Sequence, residues 1–443
     1  MATESTPNTA LPELSLPEIH STVSISISPF YWRRLLGFIG PGFLISVGYM
    51  DPGNWATDIA GGAQFGYTLL FVIMASNLMA VLLQSLSLKL GVATERDLAQ
   101  LCRESTGRWG SFFLWIMAEI AIAACDLAEV IGSAIALNLL FHVPLFWGVL
   151  ITGLDVLLIL LLQRWGFRTI EAIVIALIGV ILALFCIQMF LSRPDYLLAL
   201  DSLLIPSRSI LTNPAMLYIA IGMLGATVMP HNLYLHSSIV QSRRYKRTPQ
   251  GKREAVKMAN IDSALALTLA LFVNAAILVV AAAVFHRSGH FEVAAIEEAY
   301  KLLSPLVGAG FASTLFAIAL LASGQNSSIT GTLAGQVVME GFIQMRVAPW
   351  MRRLITRSLA IIPTIVVVAL YGAHGTEKLL ILSQVILSLQ LSFAVVPLVL
   401  FTNSRKRMGE FVNAPWLKAL AWIVALVIAG LNAWLLVQMA LGR

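Results

Sequence analysis

The sequence predicts an all-α membrane protein with eleven spanning helices. Helices one and six are broken, and the chain repeats as two five-helix halves of inverted topology. Three observations carry this. Of 443 residues, 58% are hydrophobic and only 12% charged, about half the charged share of a soluble domain. The apolar residues fall into eleven runs long enough for a hydrocarbon core of ~30 Å. The first and sixth runs are each interrupted at a proline beside polar groups.

Residues 1–32 read as a disordered cytoplasmic tail. Over 1–28 they are rich in Ser, Thr and Pro, include Glu4, Glu13 and Glu18, and lack the basic start of a signal peptide. Residues 33–443 read as one transmembrane domain. Its segments run roughly 35–66, 67–90, 109–140, 144–163, 168–191, 214–240, 260–285, 305–340, 355–373, 377–401 and 416–440. The first repeat covers about 35–191 and the second about 214–401, with helix 416–440 outside both. The third and eighth segments are long enough to tilt.

With the N-terminus in the cytoplasm, 23 of the 29 Lys and Arg residues fall in inner loops, as the positive-inside rule requires. The outer side keeps Arg193, Arg208, Arg287, Lys301, Lys378 and Arg443. An odd segment count puts the C-terminus outside. This placement explains the formal charge of +6 without nucleic acid. Cys102, Cys125 and Cys186 are scattered and imply no disulfide framework.

The first break is Gly48-Tyr49-Met50-Asp51-Pro52-Gly53-Asn54 and the second is Ala226-Thr227-Val228-Met229-Pro230-His231-Asn232. Proline gives no N–H and disfavours helix at the residue before it, so both helices should unwind there. Unwound backbone at membrane depth is tolerated where it is buried in protein or lines a cavity. Two such helices in corresponding positions of inverted repeats point to a midplane transport site. The breaks offer the Asp51 carboxylate, the Asn54 amide oxygen, the Met229 thioether and the freed carbonyls of Gly48 and Ala226. Hard oxygens alone suit Mg²⁺, Ca²⁺ or Na⁺. A thioether among them favours softer transition-series cations such as Mn²⁺ or Fe²⁺. Asn54 also suits a helix cap, and both roles are compatible.

Segment three carries Glu119, Asp126 and Glu129 on one helical face. Such a stripe is costly in a membrane and usually marks an ion or proton path. His231 and His236 lie at and below the second break, with side chains suited to titrate near neutral pH. Arg352 and Arg353 are placed to pair with the inner end of the acidic stripe. Asp155 and Asp262 are expected to be structural or gate-lining, and His286 and His290 to be solvated in an outer loop. No HExxH, P-loop or Gly-x-Ser-x-Gly pattern accompanies the acids, so an enzyme is not expected.

Asp51-Pro52-Gly53-Asn54, Met229-Pro230-His231 and the run from Gly324 through Gly335-Gln336 together resemble the Nramp family of proton-coupled divalent metal transporters. The resemblance extends from about Phe38 to the C-terminus. It implies a LeuT-like fold and, as in bacterial members, a proton symporter importing Mn²⁺ across the plasma membrane. Fe²⁺, Co²⁺, Zn²⁺ and Cd²⁺ are further candidate cargo. It implies that Asp51, Asn54 and Met229 hold the metal, with carbonyls of Gly48 or Ala226, and that Gln384 approaches in an occluded state. It assigns proton movement to the segment-three and segment-nine network. No cofactor is expected, and a monomer is. The competing expectation is a sodium-coupled organic-solute symporter of the same fold, disfavoured because Asp51 would repel a substrate carboxylate.

Overall fold

The computed structural model describes residues 20–24, 30–154, 166–293, 295–308, 310–345 and 349–440. Asp155, Arg164, Arg346 and Arg443 therefore lie outside the described residues, as do most of the tail and the side chain of Arg353. The chain is almost wholly helical, and eight helices among the described residues are long and apolar enough to cross a membrane.

The first expected segment opens with a short helix, α1 (Tyr31–Phe38), and then splits into α2 (Pro41–Gly48) and α3 (Pro52–Phe65). The cause is Pro52. Lacking an N–H, it deprives the Gly48 carbonyl of its helical partner, and Asp51 takes extended angles of φ −70° and ψ 166°. The sixth segment splits the same way into α9 (Pro214–Thr227) and α10 (Pro230–Ile239), with Met229 extended at φ −69° and ψ 125°. Pro230 correspondingly frees the Ala226 carbonyl.

Other boundaries depart from expectation for local reasons. Helix α4 spans Leu70–Thr94. The helical run α5 (Leu98–Phe141) is two helices joined across Gly107: a short one opened by the reciprocal Asp97–Gln100 capping box, and the apolar span, which starts where expected near residue 109. The φ of 62° at Gly107 breaks the helical path between them. Helix α6 (Leu145–Thr152) is the described part of segment four, and α7 covers Phe167–Ser192. After the short α8 (Tyr196–Leu204) and the second broken helix, α11 spans Pro249–Ala281. It starts early because Thr248 caps it and Pro249 fits the first helical position. A π-turn over Ala282–His286 ends it. His286 sits in that turn, not in a solvated loop, and its Nδ1 donates to the Ala63 carbonyl at 2.9 Å. Segment eight corresponds to α13 (Ala312–Ile343), preceded by the short α12 (Ile296–Val307). Segments nine and ten lie within one helical run, α14 (Pro349–Thr402), as apolar windows Leu354–Tyr371 and Gly375–Thr402. Helix α15 (Pro415–Ala440) closes the chain.

The broken helices lie at the centre. The window of the second one is 94% buried, against 33% for the windows of α7 and α15, which therefore lie at the periphery. Where the termini of the chain's N-terminal region meet the arginine-rich loops, strand β1 (Val23–Ser24) pairs in parallel with β2 (Arg243–Arg244). That contact lies within the segment whose composition suggested only disorder.

Candidate metal-binding site

The two breaks meet. Asp51 caps α3, its Oδ1 accepting the Asn54 N–H at 2.8 Å. The carbonyls of the preceding turn are held apart from the helix. Asn274 Nδ2 donates to the Tyr49 carbonyl at 2.8 Å. Trp55 Nε1 donates to that of Met50 at 3.2 Å, joined there by Ser323 Oγ. These partners satisfy the unwound backbone, which apolar surroundings would otherwise penalise, and they fix its direction.

Glycines let the elements close in. A methyl group at Gly48 would overlap the Asn232 amide and lie 3.1 Å from Met229 Sδ. One at Gly53 would overlap the amide of Gln384. The structure thus brings together Asp51, Asn54, Met229 and Gln384, the four side chains expected from sequence. Their exposures are 0%, 1%, 0% and 0%.

Within this cleft the acceptors exceed the donors. Among the described residues, Asp51 Oδ2, Asn54 Oδ1, Asn232 Oδ1 and Gln384 Oε1 are buried with no hydrogen-bond partner. Buried acceptors are nearly always satisfied, and each exception needs a reason. Four of them beside a thioether make this cleft a candidate cation site. It carries one carboxylate, and no cluster of three His, Cys, Asp or Glu suited to a metal occurs among the described residues. The set is thus mostly neutral, which suits a cargo that must leave.

The acidic stripe separates into two parts. Glu119 pairs with Arg352 at 2.8 and 3.0 Å and accepts from Trp115 Nε1 at 3.0 Å. Its side chain is 22% exposed. Glu129 is fully enclosed. Its two oxygens accept from Ser327 Oγ at 2.9 Å and Ser328 Oγ at 3.0 Å, and Arg357 Nη1 donates to Oε2 at 3.2 Å. The same Nη1 lies 3.8 Å from Asp126 Oδ1. The guanidinium next to Asp126 and Glu129 is therefore Arg357, a residue the sequence reading counted only as a loop charge. A usable signal was present: Arg357 stands one turn beyond Arg353, inside the apolar run. His231 is buried with Nδ1 unpartnered. His236 is joined through Nδ1 to Gln84 Oε1 at 2.9 Å, and Gln84 Nε2 donates to the Tyr49 hydroxyl at 2.7 Å. That chain links the two broken helices below the cleft.

Two further residues, Asn232 as a side chain of the cleft and Asp58, are not among those expected from sequence. Asn232 faces Met229, its Nδ2 lying 3.7 Å from Sδ. Asp58 is 2% exposed with Oδ2 unpartnered. Its spacing of four from Asn54 and seven from Asp51 puts all three on one helical face, a pattern visible in the sequence. Asp262, expected to be structural or gate-lining, makes structural contacts: its carboxylate accepts the N–H groups of Gly40 at 3.1 Å and Gly42 at 2.7 Å. It thereby caps the start of α2. Beside it Arg243 pairs with Glu171 at 2.9 Å and donates to the Ile39 carbonyl at 2.9 Å. These contacts tie the start of α2 to α7, α11 and the arginine-rich loop.

The family model described as "Natural resistance-associated macrophage protein-like" (Nramp) matches residues 42–438. The divalent metal cation transporter MntH of a Nostoc species is 62% identical over 424 residues, which is 96% of either chain. A crystal structure of the Eremococcus coleocola manganese transporter superposes with a TM-score of 0.88. It is 46% identical and covers 95% of this chain and 90% of that one. Mhp1, a nucleobase-cation-symport-1 family transporter, shares the fold alone, with a TM-score of 0.61 at 15% identity, covering 90% and 92%. With two proline-broken helices crossing at a metal-type donor set, and with a family match spanning nearly all of its length, the chain belongs to the Nramp family.

Proposed function

We propose that this protein is a proton-coupled symporter that imports Mn²⁺, Fe²⁺ and similar divalent cations across the plasma membrane by alternating access. The observation that carries the reading is the set of unpartnered acceptors at the crossing of the two breaks. The relatives named as divalent metal cation and manganese transporters support the cargo class, and they are transporters, not enzymes. The 23 to 6 division of basic residues supports a cytoplasmic N-terminus and an outer C-terminus. Both broken helices belong to one chain, so a monomer suffices.

Metal enters from the outer side past Asp58 and is held by Asp51, Asn54 and Met229. The carbonyls of Gly48 or Ala226 complete the shell, and Gln384 closes over it. Inward opening then requires Asp262 and Arg243 to release the start of α2. Protons follow a separate route from Asp51 and His231 through Glu129 and Asp126 beside Arg357, and on to Glu119 beside Arg352. His236 bridges to the moving helix. The role of Arg353 is carried over from sequence alone. A thioether beside hard oxygens discriminates against Ca²⁺ and Mg²⁺.

The test is Mn²⁺ uptake into proteoliposomes containing a pH-sensitive dye. Native protein should acidify the lumen as Mn²⁺ enters, and Asp51→Ala should do neither. Equal Mn²⁺ uptake by Asp51→Ala would sink the site and favour a sodium-coupled organic solute as cargo.

A further inference from the structure

On the face away from the arginine-rich loops, a cavity of about 530 Å³ opens where α7, the π-turn and α12 end. Its polar lining includes Arg193, Ser192, Arg287 and Ser288, and its walls include Phe190 and Leu306. Both arginines are exposed. No carboxylate forms an ion pair with either guanidinium among the described residues, and neither guanidinium donates a hydrogen bond there. Asp195, the acid nearest Arg193 in sequence, directs its carboxylate to the Leu198 N–H at 3.0 Å. Asp195 and Arg287 both lie close enough to Tyr67 to act on it, but among the described residues no ion pair ties up either guanidinium, so two cations sharing one cavity favour an anion between them.

Their depth identifies the anion. Arg193 directly follows the apolar span ending at Ser192, and Arg287 directly follows the one ending at His286. Both therefore stand at headgroup level. Below them Phe190 is 79% exposed and Leu306 38%, an apolar wall along which an acyl chain can lie. Basic residues are scarce on this face, and two of its six meet here. The guanidinium fork matches phosphate oxygens in pairs. The cavity volume fits a small headgroup and leaves the tails in the bilayer. The π-turn is a local widening of the kind often found at functional sites.

We infer that Arg193 and Arg287 hold the phosphate of an anionic phospholipid of the phosphatidylglycerol class in the leaflet at this face. The site lies apart from the metal cleft and stands whether or not the proposed cargo is right.

The experiment uses the full chain purified in detergent and titrated with phosphatidylglycerol or phosphatidylcholine, with bound lipid counted by native mass spectrometry. Basic loops on the other face will also hold anionic lipid, so the reading is the difference between native protein and Arg193→Gln/Arg287→Gln. Retention of phosphatidylglycerol at this site should fall by about 30-fold in the double variant, about fivefold for each arginine. Arg193→Lys/Arg287→Lys should recover part of it. Unchanged phosphatidylglycerol retention in the Gln pair overturns the inference, as does equal retention of the two lipids by native protein. Displacement of the lipid by millimolar inorganic phosphate would make this a free-anion site and overturn the lipid assignment. Thermal unfolding of both variants should match native protein, because the two side chains are exposed; a large fall would assign them a packing role instead.

Discussion

The cleft at Asp51 and the network at Glu129 are both buried, both acidic and close neighbours, yet their hydrogen bonding is opposite in kind. Around Glu129, two hydroxyls and a guanidinium meet both carboxylate oxygens. At the cleft, four acceptor oxygens have no donor among the described residues. A carboxylate whose two oxygens are both met by donors is fixed in place by them. A set of acceptors with no donors is suited to a visiting cation. Glu297 sharpens the distinction. It also has a buried, unpartnered oxygen, but it stands on one helix with no second break to bring neutral ligands opposite. One orphan acceptor is not a site; convergence from two unwound helices makes one.

The strongest challenge to this contrast is Asp51→Ala. Mn²⁺ uptake should drop by more than the ~100-fold that losing a mere supporting partner of a ligand costs. Glu129→Gln, in comparison, should leave metal binding by calorimetry in place and suppress the proton signal. If both variants lose Mn²⁺ binding equally, the two regions form one site and the contrast collapses.

Arg357→Met tests the saturated side through stability. It leaves Glu129 and Asp126 buried without their cation, and unfolding should cost about 3–5 kcal/mol less. Adding Glu129→Gln should restore part of the loss, whereas adding Asp51→Asn should not. Gly53→Ala probes the closing of Gln384. With no room for a methyl group beside that amide, about 1–3 kcal/mol of strain is expected, together with slower Mn²⁺ uptake. Met229→Ala should weaken Mn²⁺ binding about tenfold, roughly 1.4 kcal/mol, and admit Ca²⁺ in uptake competition. Unchanged Ca²⁺ exclusion would show that the thioether does not set selectivity.

The smallest effect concerns Glu297, outside the membrane spans. Burial raises its carboxyl from 4.5 to about 7. Its folded value therefore exceeds its unfolded one, so its stabilising contribution is complete below about pH 4.5. It is lost as pH rises through about 7. Hydrogen exchange in α12 should quicken across that window, and Glu297→Gln should flatten the change.

Much of this arrangement was legible in the chain because it rests on local chemistry. Pro52 and Pro230 stand beside polar residues in apolar runs and mark where those helices unwind, whereas Pro363 and Pro397 stay inside α14. The acids of segment three announce themselves by their cost in an apolar run. Helix ends were less legible: the Thr248 cap moves the start of α11 outward, beyond where hydropathy alone places it. Asp58 is readable from its spacing to Asn54 and Asp51. Arg357 was harder, because a basic residue at the edge of a span looks like any loop charge until a partner is seen.

The sequence by itself determined the membrane class, the two breaks and the ligand types at them, since each follows from composition or from a residue's own backbone chemistry. Only the tertiary structure decided which charges pair. It chose Arg357 over its neighbours for Glu129, and it set Asp262 on the start of α2. It also brought Arg193 and Arg287 into one cavity. Those choices join residues far apart in the chain, and burial makes them matter, because away from water a charge takes the partner that packing supplies.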